Sequence, residues 1–168
     1  ELFILSPGIS AKSPVYQEAV KFGKTFISEM EFGFIHLGCP VLAISGTNGK
    51  TTATELTNHI LKTAGLKTVA AGNIGLPLSE VAAKGEKYDC AAVEISSFQL
   101  ESCALFKPHS AALLNITSDH LDRYDGMDGY TKTKFNLFKN IDAENNRSII
   151  NSNLLHFWEK YGRKDLSP

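Results

Sequence analysis

One stretch decides the fold of this chain: Val41-Leu42-Ala43-Ile44-Ser45-Gly46-Thr47-Asn48-Gly49-Lys50-Thr51-Thr52. An apolar run typical of a buried strand leads into a loop with two glycines, and a lysine and two threonines follow. Glycines allow backbone N–H groups to turn inward around phosphate oxygens. The helix after the loop would point its positive N-terminus at the anion. The stretch therefore predicts a strand, a phosphate-binding loop (P-loop) and a helix.

The side chains of this loop predict binding of a nucleoside triphosphate. Lys50 would reach the β- and γ-phosphates, and the Thr51 hydroxyl would bind Mg²⁺. The spacing departs from the general motif G-x-x-x-x-G-K-[ST], because the position expected for the first glycine is Ile44 and the glycine is Gly46 instead. A plain strand–helix turn without a ligand is the alternative, but the lysine–threonine pair at the helix start favours a nucleotide.

Composition and charge restrict the class of protein. The 168 residues are 43% hydrophobic and 21% charged, as in an ordinary globular protein of one domain or slightly more. A net charge of -1 gives no electrostatic reason to expect nucleic acid or an anionic membrane as partner. No apolar stretch approaches the roughly 18 to 20 residues that a membrane span needs. The three cysteines lack C-x-x-C spacing, which predicts reduced thiols in a cytoplasmic protein.

Strand and helix patterns alternate along the whole chain. Strands are predicted at residues 2–5, 25–27, 41–44, 67–71, 90–95, 110–115 and 147–150. Helices are predicted at residues 14–22, 29–37, 50–64, 77–83, 97–105 and 129–140, and an amphipathic helix is possible around residues 154–158. Strands separated by helices predict an α/β fold with a parallel sheet covered on both faces. We expect a domain boundary near residues 38–40.

Polar groups follow several of the predicted strands, where parallel sheets gather functional side chains. The loop of residues 72–75 offers backbone N–H groups and the Asn73 amide, although a plain turn is equally compatible with its glycines. Glu94 ends a buried strand, where a carboxylate is costly unless it is paired or binds a metal, and a surface strand end is the alternative. Ser96 and Gln99 follow, and Ser96 could instead cap the next helix.

A second polar cluster follows the strand predicted at residues 110–115. Five polar side chains there suggest a site, and His120 is a candidate metal ligand among acidic neighbours. Lys132 and Lys134 lie on the next predicted helix. From the residues alone, both are typical of solvated helix lysines.

These motifs together resemble those of the Mur ligase family of ATP-dependent amide-forming enzymes. The loop with Gly46 and Gly49 is similar to that family's own P-loop, which accounts for the shifted first glycine. The other matching segments are Ser6-Pro7-Gly8-Ile9, Gly72-Asn73-Ile74-Gly75, Glu94-Ile95-Ser96-Ser97-Phe98-Gln99-Leu100-Glu101 and Asn115-Ile116-Thr117-Ser118-Asp119-His120-Leu121-Asp122-Arg123. Their order and spacing make the resemblance specific over about residues 1 to 150.

The resemblance implies a fold and a division into domains. It implies a P-loop NTPase-like central domain, with a parallel sheet flanked by helices, preceded by part of a Rossmann-like domain. Residues 1–38 would be the C-terminal part of that Rossmann-like, UDP-sugar-binding domain. Residues 39–168 would be a truncated central ATPase domain.

The resemblance also implies a role for each motif. ATP would bind to Gly46, Thr47, Asn48, Gly49, Lys50, Thr51 and Thr52. The implied catalytic residues are Lys50, Glu94, His120 and Lys134. One Mg²⁺ would be held by Thr51 and Glu94, and a second by His120 and by Lys134 as a carbamate, which reverses the expectation for Lys134 drawn from the residues alone. The acceptor side would include Ser6, Pro7, Gly8, Asn73, Ser96 and Gln99.

The implied activity is a step of peptidoglycan precursor synthesis in the cytoplasm. UDP-N-acetylmuramoyl-L-alanine and D-glutamate would be the substrates, ATP and Mg²⁺ would be required, and the full-length protein would be a monomer. Because other parts of such a ligase would be missing, we expect little or no ligase activity from this chain alone. The alternatives are another Mur-type ligase, folylpoly-γ-glutamate synthetase, or a nucleotide-binding module without catalysis.

Overall fold

The computed structural model describes residues 2–9, 13–23, 25–120, 122–166 and 168. The strands are β1 Leu2–Leu5, β2 Thr25–Ser28, β3 Val41–Ser45, β4 Thr68–Gly72, β5 Cys90–Glu94, β6 Ser110–Leu113 and β7 Arg147–Ile150. The helices are α1 Pro14–Lys21, α2 Glu29–Leu37, α3 Lys50–Thr63, α4 Leu78–Ala83, α5 Ser97–Glu101, α6 Gly126–Phe135 and α7 Leu155–Tyr161. Single 3₁₀ turns cover Asn136–Phe138 and Ser152–Leu154. Leu121, inside the predicted motif of residues 115–123, lies outside the described residues.

The larger sheet has five parallel strands in the order β4-β5-β3-β6-β7. Strand β3 lies in the middle, where Ala43 is in register with Val93 on one side and with Ala111 on the other. Every residue of β5 is buried, as expected for a strand covered on both faces. This arrangement confirms the predicted α/β fold with a parallel sheet flanked by helices.

A second, smaller sheet pairs β1 with β2 in parallel, with α1 between them in the chain. Ser13 caps α1 by accepting a hydrogen bond from the backbone N–H of Tyr16, and Pro14 occupies the first helical position. Residues 2–4 are exposed. The two-stranded sheet therefore buries much less of its apolar surface than the five-stranded one.

Helix α2 follows the smaller sheet in the chain and precedes the larger one. It packs against α4, a helix that flanks the larger sheet. Met30 is fully buried in the main core, and a Cβ on Gly33 would lie 2.5 Å from the backbone carbon of Leu78. The Glu29 carboxylate accepts hydrogen bonds from the backbone and hydroxyl of Ser79. The predicted domain boundary at residues 38–40 stays a prediction, but these contacts associate α2 with the five-stranded sheet.

Two helices have ends that differ from the prediction. Helix α5 ends at Glu101 and not at residue 105, because the N–H of Phe106 donates to the buried carboxylate of Glu31. Helix α6 begins at Gly126, three residues earlier than predicted, and passes into a 3₁₀ turn after Phe135. Within the described ranges, no helix is long and apolar enough to cross a membrane.

Candidate functional site

The loop after β3 has the predicted strand–loop–helix geometry. Gly49 precedes the first residue of α3 and has a φ of 78°, in the left-handed region that favours glycine. Lys50 follows, and its Nζ donates a hydrogen bond to the carbonyl of Thr47 at 2.9 Å. Thr52 is exposed in the first turn of α3. The Lys50 side chain thus joins the end of the loop to its beginning.

The Thr47 side chain ties this loop to two other parts of the sheet edge. Its hydroxyl accepts a hydrogen bond from the N–H of Thr117 at 3.0 Å and lies 3.2 Å from the hydroxyl of Tyr130 on α6. Thr47 and Tyr130 are both buried. The loop is therefore fixed to the segment after β6 and to α6.

Glu94 lies beside the start of α3. The carboxylate is only 2% exposed, and it accepts hydrogen bonds from the Thr51 hydroxyl and the Asn73 amide, each at 2.8 Å. Gly72 has a φ of 100°, and a Cβ there would lie 2.3 Å from the Glu94 carbonyl oxygen. Glycine at position 72 thus allows the loop that carries Asn73 to pass directly over the end of β5.

Lys134 is buried at the same edge, contrary to the expectation drawn from the residues alone. It is 1% exposed, and its Nζ donates to the carbonyl of Gly46 at 2.9 Å. Burial, and secondarily the positive charge of Lys50, lower the pKa of Lys134 to about 7. Lys132 is exposed, as predicted. At neutral pH a substantial fraction of Lys134 is therefore an uncharged amine.

His120 lies at the mouth of the same site. It has a φ of 51°, an uncommon conformation for a residue with a side chain. Its ring lies 4.8 Å from the ring of Phe98, and its Nε2 lies 3.5 Å from the Asp119 carboxylate. Phe98 also contacts the Arg123 guanidinium, 4.1 Å from the ring centre, and the ring of Tyr124. Phe98 therefore supports His120, a role that the sequence did not suggest.

Two cavities together contain half of the predicted site residues. The first, of about 130 Å³, is lined by Lys50, Asn73, Ser96, Ser97, Phe98, Asp119, His120, Tyr130 and Lys134. The second, of about 310 Å³, is lined by Ser6, Pro7, Glu29, Gly72, Asn73, Ile74, Gly75, Pro77 and Gln99. Asn73 lines both cavities. Gly8 is exposed and lines neither of them.

Ser96 and Gln99 also stabilise the start of helix α5. The Ser96 hydroxyl accepts a hydrogen bond from the N–H of Gln99, and the Gln99 side-chain oxygen accepts one from the N–H of Ser96. This reciprocal pair is a capping box at the start of α5. The alternative that Ser96 caps this helix is confirmed, and the binding role of both residues stays a prediction.

The residues that could hold a metal are oxygen donors at the P-loop. Among the described residues, no group of three or more His, Cys, Asp or Glu side chains could hold a metal ion by itself. The Thr51 hydroxyl and the Glu94 carboxylate are nevertheless in contact, and both are hard oxygen ligands suited to Mg²⁺. Magnesium usually takes its remaining ligands from water and substrate phosphates. The donor set fits a magnesium ion that arrives with a nucleotide.

Asn115, like Phe98, lies in one of the motifs quoted from the sequence, but no role of its own was predicted for it. Asn115, at the end of β6, accepts hydrogen bonds from the N–H groups of both Thr47 and Asn48. The sequence placed it in a polar segment after a strand and did not indicate a contact with the P-loop. Its partner in space is 67 residues away in the chain, so no local pattern could indicate the contact.

Comparison with known proteins identifies the family. The Mur ligase middle domain matches residues 44–165. The chain belongs to the Mur ligase family. Two similar relatives of this Mur ligase chain are UDP-N-acetylmuramoylalanine–D-glutamate ligases. The relative from Trichlorobacter lovleyi is 42% identical, and the match covers 86% of this chain and 32% of the relative. The relative from Geobacter metallireducens is 45% identical, and the match covers 85% of this chain and 32% of the relative. The chain thus spans about a third of the length of these relatives.

A solved structure shows the same fold. The UDP-N-acetylmuramate:L-alanyl-gamma-D-glutamyl-meso-diaminopimelate ligase from Neisseria meningitides aligns with 95% of this chain and 55% of that chain, with a TM-score of 0.65. Its sequence identity to this Mur ligase chain is 18%. At that identity the likeness concerns the fold and not the substrate.

Proposed function

We propose that this chain is part of an ATP-dependent ligase that joins D-glutamate to UDP-N-acetylmuramoyl-L-alanine in peptidoglycan precursor synthesis. The observation that carries the proposal is the convergence of Lys50, Glu94 and Lys134 at one edge of the sheet, around a P-loop. A nucleoside triphosphate needs such a combination of loop, cation and carboxylate. The names of the two relatives supply the amino acid and the acceptor.

ATP would bind along Gly46–Thr52, with its phosphates at the start of α3. Lys50 would exchange its hydrogen bond with the Thr47 carbonyl for phosphate oxygens. The first-turn N–H groups and the dipole of α3 would stabilise the same negative charge. These residues would hold the triphosphate in line with the acceptor carboxylate.

Thr51 and Glu94 would hold one Mg²⁺, and His120 with a carbamylated Lys134 would hold a second. Glu94 supports this assignment because its buried carboxylate is hydrogen-bonded to two neutral groups, Thr51 and Asn73, and a buried negative charge is stabilised by a cation. When bound, the ions would neutralise charge on the triphosphate and allow a carboxylate to approach it. The pKa of Lys134, lowered to about 7, would leave the uncharged amine that reacts with carbon dioxide.

The proposed reaction has two steps. The carboxylate of UDP-N-acetylmuramoyl-L-alanine attacks the γ-phosphorus of ATP, which forms an acyl phosphate and releases ADP. The amine of D-glutamate then adds to the acyl carbon, and the tetrahedral intermediate expels inorganic phosphate. Lys50 would stabilise the charge on the transferred phosphoryl group. On the acceptor side we propose Ser6, Pro7, Gly8, Asn73, Ser96 and Gln99.

The remaining parts of the proposal concern the whole protein. ATP and a UDP-linked sugar are metabolites of the cytoplasm, so we propose that the enzyme acts there, as a monomer and without a nucleic-acid or membrane partner. We also propose that the second sheet with α1 is the end of a Rossmann-like domain. This chain alone would have little or no ligase activity.

The test is an acceptor assay on a protein that contains this chain within a full-length ligase. Phosphate release is measured with ATP, UDP-N-acetylmuramoyl-L-alanine and a panel of amino acids. We expect release that depends on D-glutamate and is lost in Lys50→Ala. Release driven by a different amino acid, or by a folate acceptor and glutamate, would overturn the proposed substrates, and ATP binding without turnover would overturn the proposed catalysis.

A further inference from the structure

The P-loop of this chain has two residues between its glycines, where the general motif has four. The two residues between the glycines are held by contacts from outside the loop as well as by Lys50. The structure has such a contact at the end of the neighbouring strand β6.

The side chain of Asn115 makes three hydrogen bonds to the backbone of the loop. Its Oδ1 accepts from the N–H of Thr47 at 3.1 Å and from the N–H of Asn48 at 2.9 Å. Its Nδ2 donates to the carbonyl of Asn48 at 2.9 Å. The backbone carbonyl of Asn115 also lies 3.0 Å from the Thr47 nitrogen. All of these distances are those of ordinary hydrogen bonds.

This pattern requires a carboxamide. The group must accept two hydrogen bonds at one atom and donate one from another, in a single plane. A carboxylate of the same size supplies the acceptors but no donor, and a leucine of similar size supplies neither.

The short distance between the loop and the end of β6 also explains the shifted first glycine. A Cβ on Gly46 would lie 3.1 Å from the Leu114 Cβ and 3.4 Å from the Asn115 nitrogen. Glycine at position 46 therefore lets the loop come close enough to the end of β6 for Asn115 to reach it. The position of the glycine and the contact are two parts of one arrangement.

We propose that Asn115 is a positioning residue, which holds residues 47 and 48 in place so that residues 49–52 face the phosphates. The inference rests on the proposed function, since it assigns the task of this loop to a nucleotide. It also narrows the set of backbone N–H groups that can donate hydrogen bonds to the phosphates. The N–H groups of Thr47 and Asn48 are bound to Asn115, which leaves those of Gly49 and the first turn of α3 for the ligand.

The test uses amide hydrogen exchange by NMR on the unliganded chain, followed by calorimetric titration with Mg·ATP. We expect the Thr47 and Asn48 amides to be protected in the unsubstituted protein. Asn115→Leu should reduce the protection of the Asn48 amide and weaken Mg·ATP binding, each by about tenfold or more, because the competent loop is then only a minor population. The Thr47 amide keeps the backbone carbonyl of residue 115 as an acceptor and should stay protected. Asn115→Asp keeps the two acceptor bonds and should keep both amides protected.

Asn146→Leu is the matched control. It makes the same substitution and removes one side chain–backbone hydrogen bond, to the carbonyl of Pro108 at 3.1 Å. It should change neither the two amides nor the affinity. Asn115→Leu and this control should have similar melting temperatures, so that a general loss of stability does not account for the result.

Three results would overturn the proposal: an unprotected Asn48 amide in the unsubstituted chain, equal protection of that amide in Asn115→Leu, or unchanged Mg·ATP affinity once that protection is lost. Should Asn115→Leu not fold, Asn115→Ala, which also lacks the side-chain amide, replaces it in both measurements. Failure of the unsubstituted chain to bind Mg·ATP would count against the proposed function instead, and the amide exchange would still decide the role of Asn115.

Discussion

The two sheets of this molecule both contain short, mostly apolar strands, but these strands lie in different environments. β1 and β5 are both short apolar runs, yet Leu2 and Ile4 of β1 are 52% and 48% exposed, whereas Val93 of β5 is fully buried. The difference arises from what covers each strand, because β5 lies between β4 and β3 and beneath helices. We conclude that the five-stranded sheet supplies most of the stability of this chain, and that the P-loop edge depends on it.

The largest expected contrast is between core substitutions in the two sheets. Leu113→Ala, in β6 and 1% exposed, should lower the free energy of unfolding by about 2 to 5 kcal/mol, because it leaves a cavity. Ile4→Ala, in β1, should lower it by less than about 1 kcal/mol. Urea denaturation of both variants measures the difference, and equal losses would contradict the comparison.

The next contrast concerns the helix between the sheets. Glu31→Leu on α2 leaves the N–H groups of Leu105 and Phe106 without their carboxylate partner. It should cost about 1 to 3 kcal/mol. The control is Glu18→Leu on exposed α1, with an expected effect within about 0.5 kcal/mol. If both substitutions were equally mild, α2 would not be anchored to the larger sheet as the contacts indicate.

A smaller effect should appear in the pH dependence of stability. Lys134 has a folded-state pKa of about 7, below its ordinary value of 10.5, so the unfolded chain binds more protons between these pH values. The contribution of Lys134 to stability therefore rises with pH across that range, and it is least favourable below pH 7. Lys134→Met removes this dependence.

We expect the unfolding free energy of Lys134→Met, relative to the unsubstituted chain, to fall by at least about 1 kcal/mol between pH 6.5 and 9.5. Lys132→Met, at an exposed position of the same helix, should show no such trend. Parallel pH profiles for Lys134→Met and the unsubstituted chain would mean that Lys134 keeps its ordinary pKa.

The smallest effect concerns Arg123, which links the two sheets. Its guanidinium contacts the Glu101 carboxylate at 2.8 Å, the Phe98 ring and the carbonyl of Pro7. Arg123→Lys loses the planar group and should destabilise the chain by about 0.5 to 1 kcal/mol. Amide exchange should accelerate in residues 2–5 and 25–28 and stay unchanged in β3 and β5. Acceleration throughout the larger sheet would contradict this local role.

Much of the fold could be predicted because its signals are local. The apolar runs of β3 and β5 and the glycines at positions 46 and 49 act within a few residues of themselves. The end of α5 could not be predicted, since it is set by Glu31 from a distant helix.

The site was less predictable because it is assembled from separate segments. Burial of Lys134 follows from where α6 lies against the P-loop, and its own neighbours in the sequence gave the opposite expectation. Glu94 was recognised because a carboxylate after a buried strand is unusual. The contacts of Asn115 and Phe98 were not predicted, although both residues lie in the quoted motifs, since their partners Asn48 and His120 are distant in sequence.

The most direct test of the account is a calorimetric titration of this chain with Mg·ATP, beside Lys50→Ala. The account predicts saturable binding by the unsubstituted chain, and a loss of about a hundredfold or more in the variant, whose loop lacks its charged donor to the phosphates. Circular dichroism of both proteins checks that they are folded. Equal binding by the two folded proteins, or no binding by the unsubstituted one, would contradict the claim that this sheet edge forms a nucleotide site.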